Sequence, residues 1–493
     1  MTLFKRLLAA LLCAAVTLPL MACGNTEPAE TAADTDTTAV PAETEPAYTL
    51  PEGNWDGYNF HILVHGNSES GWDKNDFHAE ELTGELMNDA VFERNAAVEE
   101  LYNVDITDEK LTGNIDGNSM GPGYQAISTA VLAGDAAYGA ATVGGYDACT
   151  LVLGDFLSEM SSMPHIDLSQ HWWDQNAVED MKIAGMTYFT TGAVSTAIND
   201  CTIAVFFNQQ VATDFGITDL YSSVQEGSWT FEKMWEYAKL VAADTDGDGK
   251  MTTNDRFGSI TWDDTVMAAV NSTGVKCATL NSEGLLELTL YTESVVDALD
   301  KYTDFAFDKN VSYNYQRDSY DIATPVSMFQ NGQSLYYLQL LNLASSFRDM
   351  EADFGILPYP KYDASQNEYY STVGSWHSMF FCVPGVMDNA ERSGMIIEAL
   401  AYYSEEIVTP VYYDQVLNYK YMRDEESIAM LDIILSSRVF DLGWFYKVGN
   451  YFAEVIYMIY EYTDNFTSRY EKAEQMALGQ VEEINAKFLE NKK

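Results

Sequence analysis

The chain has 493 residues, 47% hydrophobic and 13% aromatic, enough for the cores of about three domain-sized units. Its 75 acidic residues against 26 basic ones give a net charge of −49, a surface that repels nucleic acid and anionic lipid and excludes both as partners of the folded body. Past the N-terminal region no apolar run reaches about 18 residues; Tyr451 to Tyr462 comes nearest and contains Glu454 and Glu461.

The N-terminus reads as an export signal. Lys5 and Arg6 precede an apolar run, Leu7 to Leu20, that ends in Leu20-Met21-Ala22-Cys23. A charged start, a short apolar middle and a small residue before the cut define a secretory signal peptide over residues 1–22. The cysteine after the cut resembles the lipobox of bacterial lipoproteins, which implies that Cys23 is the first mature residue and carries lipid. Two or three acyl chains hold a protein on a membrane far better than one. Residues 23–54 are rich in Thr, Ala, Glu and Pro and poor in large apolar residues, so they form a disordered tether with a reach of about 30 Å.

Globular sequence starts near Trp55. Tyr58 to Val64 has the composition of a strand, Asn88 to Leu101 the apolar spacing of a helix, Val104 to Ile106 a second strand and Tyr124 to Leu132 a helix ending at Gly134. Tyr146 and Asp147 fall in a glycine-flanked loop. Further on, Thr202 to Phe207 is an apolar run of buried-strand type, Thr230 opens a helix reaching Leu240, and Phe257 to Trp262 is a short strand. Ser334 to Leu338 and Phe354 to Leu357 are strands, the latter ended by Pro358 and Pro360. Met395 to Ser404, Ile428 to Leu435 and most of Asn450 to Leu489 are helical. Alternating strands and helices favour an α/β fold.

Cys13 falls in the signal, and Cys149, Cys201, Cys277 and Cys382 are widely spaced with no CxxC pair, which excludes zinc and thioredoxin-like sites. Export permits disulfides, and the spacing leaves open whether these four pair or stay free.

Asp244-Thr245-Asp246-Gly247-Asp248-Gly249-Lys250-Met251-Thr252-Thr253-Asn254-Asp255 matches a calcium loop. Asp244, Asp246 and Asp248 supply carboxylates at positions 1, 3 and 5, Gly249 permits the turn, the Lys250 carbonyl fills position 7 and Asp255 closes the loop in place of the usual glutamate. Without a cation these carboxylates repel one another. No second loop appears, so a structural Ca2+ clip fits better than a paired sensor; an acidic turn without metal is the alternative.

Catalytic motifs do not convince. Gly117-Asn118-Ser119-Met120-Gly121 matches G-x-S-x-G, but polar residues precede it and Pro122-Gly123 follows, so it lacks the strand and helix of a nucleophile elbow. No two of the six histidines form HExxH, and no Walker or dinucleotide glycine pattern occurs in context.

Several segments share one resemblance. Asn88-Asp89-Ala90-Val91-Phe92-Glu93-Arg94-Asn95, Trp172-Trp173-Asp174-Gln175, Phe206-Phe207-Asn208, Gly227-Ser228-Trp229-Thr230-Phe231 and Phe354-Gly355-Ile356-Leu357-Pro358-Tyr359-Pro360-Lys361 occur in the order of similar segments in bacterial extracellular solute-binding proteins. These are the carbohydrate-binding lipoproteins of ABC importers, of the maltose-binding type. The resemblance implies a two-lobed periplasmic-binding-protein-like fold (type II) with a helical C-terminal region, its lobes divided as 55–195 with 354–415 and 196–353 with 416–493. Crossings would lie near Thr190 to Asp200, Phe354 to Tyr359 and Pro410 to Tyr421. It also implies hinge closure on the ligand, an ABC permease as partner, and a monomer on the outer face of the membrane.

Sugars present apolar faces and a rim of hydroxyls, so their sites combine aromatic rings with Asp, Asn or Gln. Residues of those types just after strands or at crossings are Trp72, Tyr146, Asp147, Asp200, Trp262, Asp263, Gln339, Trp376 and Trp444. Trp172, Trp173 and Trp229 fit structural roles better. The expected function is a non-enzymatic receptor for a sugar or oligosaccharide; the alternatives are a surface glycoside hydrolase and a receptor for peptide or another polar solute.

Overall fold

A computed structural model describes residues 48–66, 76–113, 120–318, 321–417 and 425–492. Almost all of them lie in one compact unit, Leu50–Lys493. Cys23, Trp72 and Gly117 to Ser119 of the G-x-S-x-G segment lie outside the described residues.

The N-terminal half alternates strand and helix as its patterning requires. β1 (Tyr58–His65) is followed by the helix Leu86–Tyr102, β2 (Val104–Lys110), the helix Pro122–Ala133, β3 (Ala140–Gly144) and the helix Gly145–Leu153; β4 (Phe189–Thr190) comes later. β2 and β3 pair in parallel on either side of β1, an arrangement that needs the intervening helices as crossovers. The chain then enters a second set of strands: β5 (Ile203–Asn208), β6 (Phe257–Thr261), the hairpin β7 (Ala278–Leu280) and β8 (Leu286–Leu288), β9 (Ser312–Asn314), β10 (Ser334–Leu340) and β11 (Phe354–Leu357). β12 (Ser371–Thr372) leads back to β13 (Met379–Cys382), and β14 (Arg438–Val439) pairs with β12.

Two five-stranded sheets result, ordered β2-β1-β3-β13-β4 and β11-β5-β10-β6-β9. Every residue of β3, β5, β6, β10 and β13 is buried. That explains why these strands read as continuous apolar or small-residue runs rather than alternating ones. Helices pack closely on the sheets. At Gly258 in β6 an added Cβ would sit 2.2 Å from the carbonyl oxygen of Ala238 in the helix Phe231–Val241, so only glycine permits this approach. Thr230 caps that helix, accepting the Lys233 N–H at 3.3 Å.

Three expectations are corrected by the strand assignments. Phe354–Leu357 is not a crossing but the edge strand of the second sheet, paired antiparallel with β5. Its alternating backbone bonds hold it there, and the passage to the first sheet takes place after Leu357, so the lobe boundary at 353/354 moves past that residue. The segment around Pro410, expected to cross, is largely the helix Thr409–Leu417, with residues 418–424 outside the described ones. Tyr146 and Asp147 belong not to a loop but to the first turn of the helix Gly145–Leu153.

The tandem tryptophans build a buried anchor. Trp172 and Trp173 each donate an indole N–H at 3.2 Å to a different oxygen of Glu398, which is inaccessible to solvent. Burial pushes the Glu398 carboxyl up to about 7 despite these donors. A carboxyl whose folded pKa exceeds its unfolded value of 4.5 adds stability that is complete below that value and is lost as pH rises towards about 7. In Glu398→Gln the fall in urea midpoint across this window becomes shallower. The amide accepts at one oxygen only, so one indole N–H is orphaned and stability at the acid end drops by about 1–3 kcal/mol.

Cys149, Cys201, Cys277 and Cys382 are all buried free thiols. No helix among the described residues is long and apolar enough to cross a membrane.

Candidate functional site

The residues following β3, β6 and β12 converge. β3 ends at Gly144, and the helix after it starts at once, with the Gly145 N–H bonded to the Ser378 carbonyl at 3.1 Å. A Cβ at Gly145 would lie 2.8 Å from Ser378 Oγ and 3.0 Å from the Phe445 ring, so glycine is required for this junction to close. The turn delivers Tyr146, buried, to a meeting point of three parts of the chain. Its hydroxyl hydrogen-bonds Ser375 at 3.2 Å, and its ring meets Trp376 edge-on at 6.0 Å and Phe452 at 6.4 Å. Lys447 Nζ sits 4.1 Å from the centre of the same ring, a cation–π contact. Lys447 and Asn450 both adopt left-handed backbone conformations, with φ of 51° and 54°, a cost the surrounding structure sustains while it presents the lysine here.

From the second sheet, β6 delivers Trp262, Asp263 and Asp264. The Trp262 ring lies edge-on to His377 at 5.5 Å. Burial pushes the His377 imidazole down to about 3, so the ring is neutral at physiological pH. Asp263 accepts the Tyr460 hydroxyl at 2.6 Å, the Asp264 N–H at 3.0 Å and the Gln316 amide, while its own N–H donates to Gln316 Oε1 at 3.1 Å. Asp264 is equally buried, yet none of the described residues donates a hydrogen bond to its carboxylate. Burial first, then the neighbouring Asp263 charge, hold its carboxyl well above the usual range.

The structure thus brings together Tyr146, Trp262, Asp263 and Trp376 of the expected residues. Trp376 is half-buried. Trp444 packs against Phe452 at 6.4 Å but is 2% exposed, and its indole N–H has no hydrogen-bond partner among the described residues. Gln339, on β10, turns its side-chain oxygen back to the Leu340 N–H at 2.9 Å. Asp147 points away from Tyr146, its two oxygens accepting the Gly121 N–H at 3.1 and 3.2 Å. Asp200 accepts the Tyr412 hydroxyl at 2.9 Å, beside a small cleft of ≈170 Å³ lined by Trp172, Thr196, Glu405, Tyr412 and Arg438.

Sequence reasoning missed Asp264, Gln316, Tyr460 and Lys447. Asp264 had a signal, since it doubles the acid at the end of a buried strand. Tyr460 had none among 32 tyrosines.

At the opposite end of β6 lies the acidic loop. Asp244, Asp246 and Asp255 each offer an oxygen within 4.8 Å of the others. Asp255 is buried and clasps the loop, one oxygen accepting Thr245 N–H and the other Thr252 N–H, both at 2.8 Å. The Thr252 N–H, then the Thr245 N–H, lower its carboxyl pKa. Asp244 accepts the N–H groups of Gly247 and Gly249 at 2.7 and 2.8 Å. Asp248 stands outside the trio and accepts the Lys250 N–H at 2.8 Å. The donors are hard oxygens on a tight loop, the set that suits Ca2+.

No family model matches the sequence, and no curated protein matches it. Solved structures do match its fold over most of its length. The galacto-N-biose/lacto-N-biose I-binding protein of a Bifidobacterium longum ABC transporter, in complex with lacto-N-biose, aligns with a TM-score of 0.59 at 11% identity, covering 87% of this chain and 98% of that one. An ABC substrate-binding protein of Listeria monocytogenes, in complex with cycloalternan, aligns at 0.52 and 13% identity, covering 88% and 99%. The maltose/maltodextrin-binding domain of Bdellovibrio bacteriovorus, bound to maltotriose, aligns at 0.52 and 12% identity, covering 86% and 98%. The fold is therefore the two-lobed type II fold of ABC-transporter substrate-binding proteins.

Proposed function

We propose that this chain is an extracytoplasmic receptor that binds a sugar or oligosaccharide between its two lobes, without chemistry of its own, and delivers it to an ABC permease by hinge closure. The observation that carries this reading is the convergence of Tyr146, Trp262, Asp263, Asp264 and Trp376 from both sheets on one interlobe site. Rings that can cover sugar faces stand beside carboxylates that can bind hydroxyls. Structures of the same fold hold lacto-N-biose, cycloalternan and maltotriose, and they are described as binding proteins. Screening a panel of saccharides and peptides by thermal shift, with product analysis, is the test. Ligand-induced stabilisation by saccharides without turnover supports the receptor; released product supports a hydrolase, and stabilisation by peptides alone overturns the sugar.

Two further parts belong to this reading. Asp244, Asp246 and Asp255 would hold a structural Ca2+, with Asp248 and the Lys250 carbonyl completing the shell. Chelation with EGTA then lowers Tm by about 3–5 °C, and Asp244→Asn removes this dependence. An unchanged Tm on chelation would rule the ion out. Cys23 would anchor the protein to the outer face of the cytoplasmic membrane as a monomer, and mass spectrometry of the mature N-terminus reads the acyl chains directly.

A further inference from the structure

We propose that the saccharide held in this cleft carries a protonated amine, as an unacetylated hexosamine does, and that Asp264 is the residue that selects it; this rests on the reading of the cleft as a saccharide site. Two adjacent acids end β6, and the protein treats them differently. Asp263, 7% exposed, is served by the Tyr460 hydroxyl, the Gln316 amide and a backbone N–H. Asp264, 6% exposed, receives no hydrogen bond from any described residue. It also forms no ion pair among the described residues.

A buried carboxyl without donors or counter-charge stays protonated, and a ligand that supplies both lets it ionise. A sugar hydroxyl supplies one hydrogen bond and no counter-charge, so beside Asp263 the Asp264 carboxyl stays neutral. An ammonium group supplies N–H donors and the opposite charge together, the stronger kind of hydrogen bond. The rest of the site suits a cation. Asp264 lies close enough to raise the pKa of the Tyr146 hydroxyl, and the half-buried Trp376, edge-on to Tyr146 at 6.0 Å, brings an aromatic ring to a cation. The net charge of −49 favours the approach of cationic ligands over anionic ones.

The test compares saccharides that differ only at the second carbon of each ring. Chitosan oligosaccharides, chitin oligosaccharides and cello-oligosaccharides of matched length are titrated calorimetrically into the full mature chain at mildly acidic pH, where the amine is protonated. The expected result is at least about 10-fold tighter binding of the amine form, a preference that vanishes in Asp264→Asn. On the unaltered protein, added salt weakens the amine form and spares the neutral ones. Equal affinities, a preference retained in Asp264→Asn, or an amine affinity indifferent to salt each overturn the proposal while leaving a saccharide receptor standing. Failure of all three series, together with every other saccharide in the thermal-shift panel, removes the saccharide reading and this proposal with it.

Discussion

Trp376→Ala lowers affinity for the bound saccharide about 100-fold, or about 2.7 kcal/mol, while shifting Tm by less than about 2 °C. The asymmetry follows from where the ring stands. Trp376 is half-buried and meets Tyr146 edge-on at 6.0 Å, so its ring is not locked into the core. Little core packing is lost when it is truncated, but a ring that can cover a sugar face goes with it. Trp444 is the contrast, since its 2% exposure ties it to the core and truncation there unfolds before it informs. Calorimetry on Trp376→Ala beside a thermal melt separates the two effects, and an unchanged affinity would take Trp376 out of the site.

Asp441→Ala is expected to cost about 3–5 kcal/mol of stability, more than Glu398→Gln at its acid end. Asp441 is 2% exposed and accepts the N–H groups of Cys277, Ala278 and Gly443 at 2.5, 3.3 and 2.9 Å. It therefore caps the helix Leu442–Phe445 and ties it to the start of the β7–β8 hairpin. Removing it orphans three buried donors at once. Burial pushes its carboxyl up to about 6, opposed chiefly by the Cys277 N–H. Its contribution to the pH slope is of the same sign as that of Glu398, present below the ordinary carboxyl range and lost as pH rises towards about 6. Chemical denaturation at neutral pH measures the loss; a cost under about 1 kcal/mol would mean that water replaces the carboxylate.

The elements that were legible in the sequence are those whose burial pattern is uniform. β5 is buried along its whole length and reads as an unbroken apolar run; the helix Phe231–Val241 announces itself with the Thr230 cap. β3 was not legible because Ala140-Ala141-Thr142-Val143-Gly144 is made of small residues that suit a strand wedged between neighbours but carry no strong local preference. The passage after β11 was misplaced because two prolines end a strand equally well whether the chain then stays or leaves. Of the site, the aromatic and acidic residues after strands could be named, but their aim could not. Asp147 and Asp263 are both acids just past a strand, and only tertiary contacts turn the first to Gly121 and the second to Tyr460. Lys447 escaped notice because a left-handed lysine far along the chain has no pattern.

The long C-terminal helix Phe466–Asn491 touches both halves of the protein. Near its start, Tyr470 stacks on Tyr291 at 4.7 Å; towards its end, Asn485 bonds the backbone of Leu286 on both sides. At its far end Lys487 pairs with Asp155, Phe488 meets the Tyr188 ring at 5.6 Å and Lys492 reaches the Ala184 carbonyl at 2.8 Å. Twenty-six residues make a rod of about 39 Å that bends little. A stiff rod fastened to two bodies travels with one of them and leaves its other end as a pivot. The hairpin holds the rod as far as Asn485 and the other half grips only its last turns, so any opening that keeps these bonds swings about the neighbourhood of Tyr188.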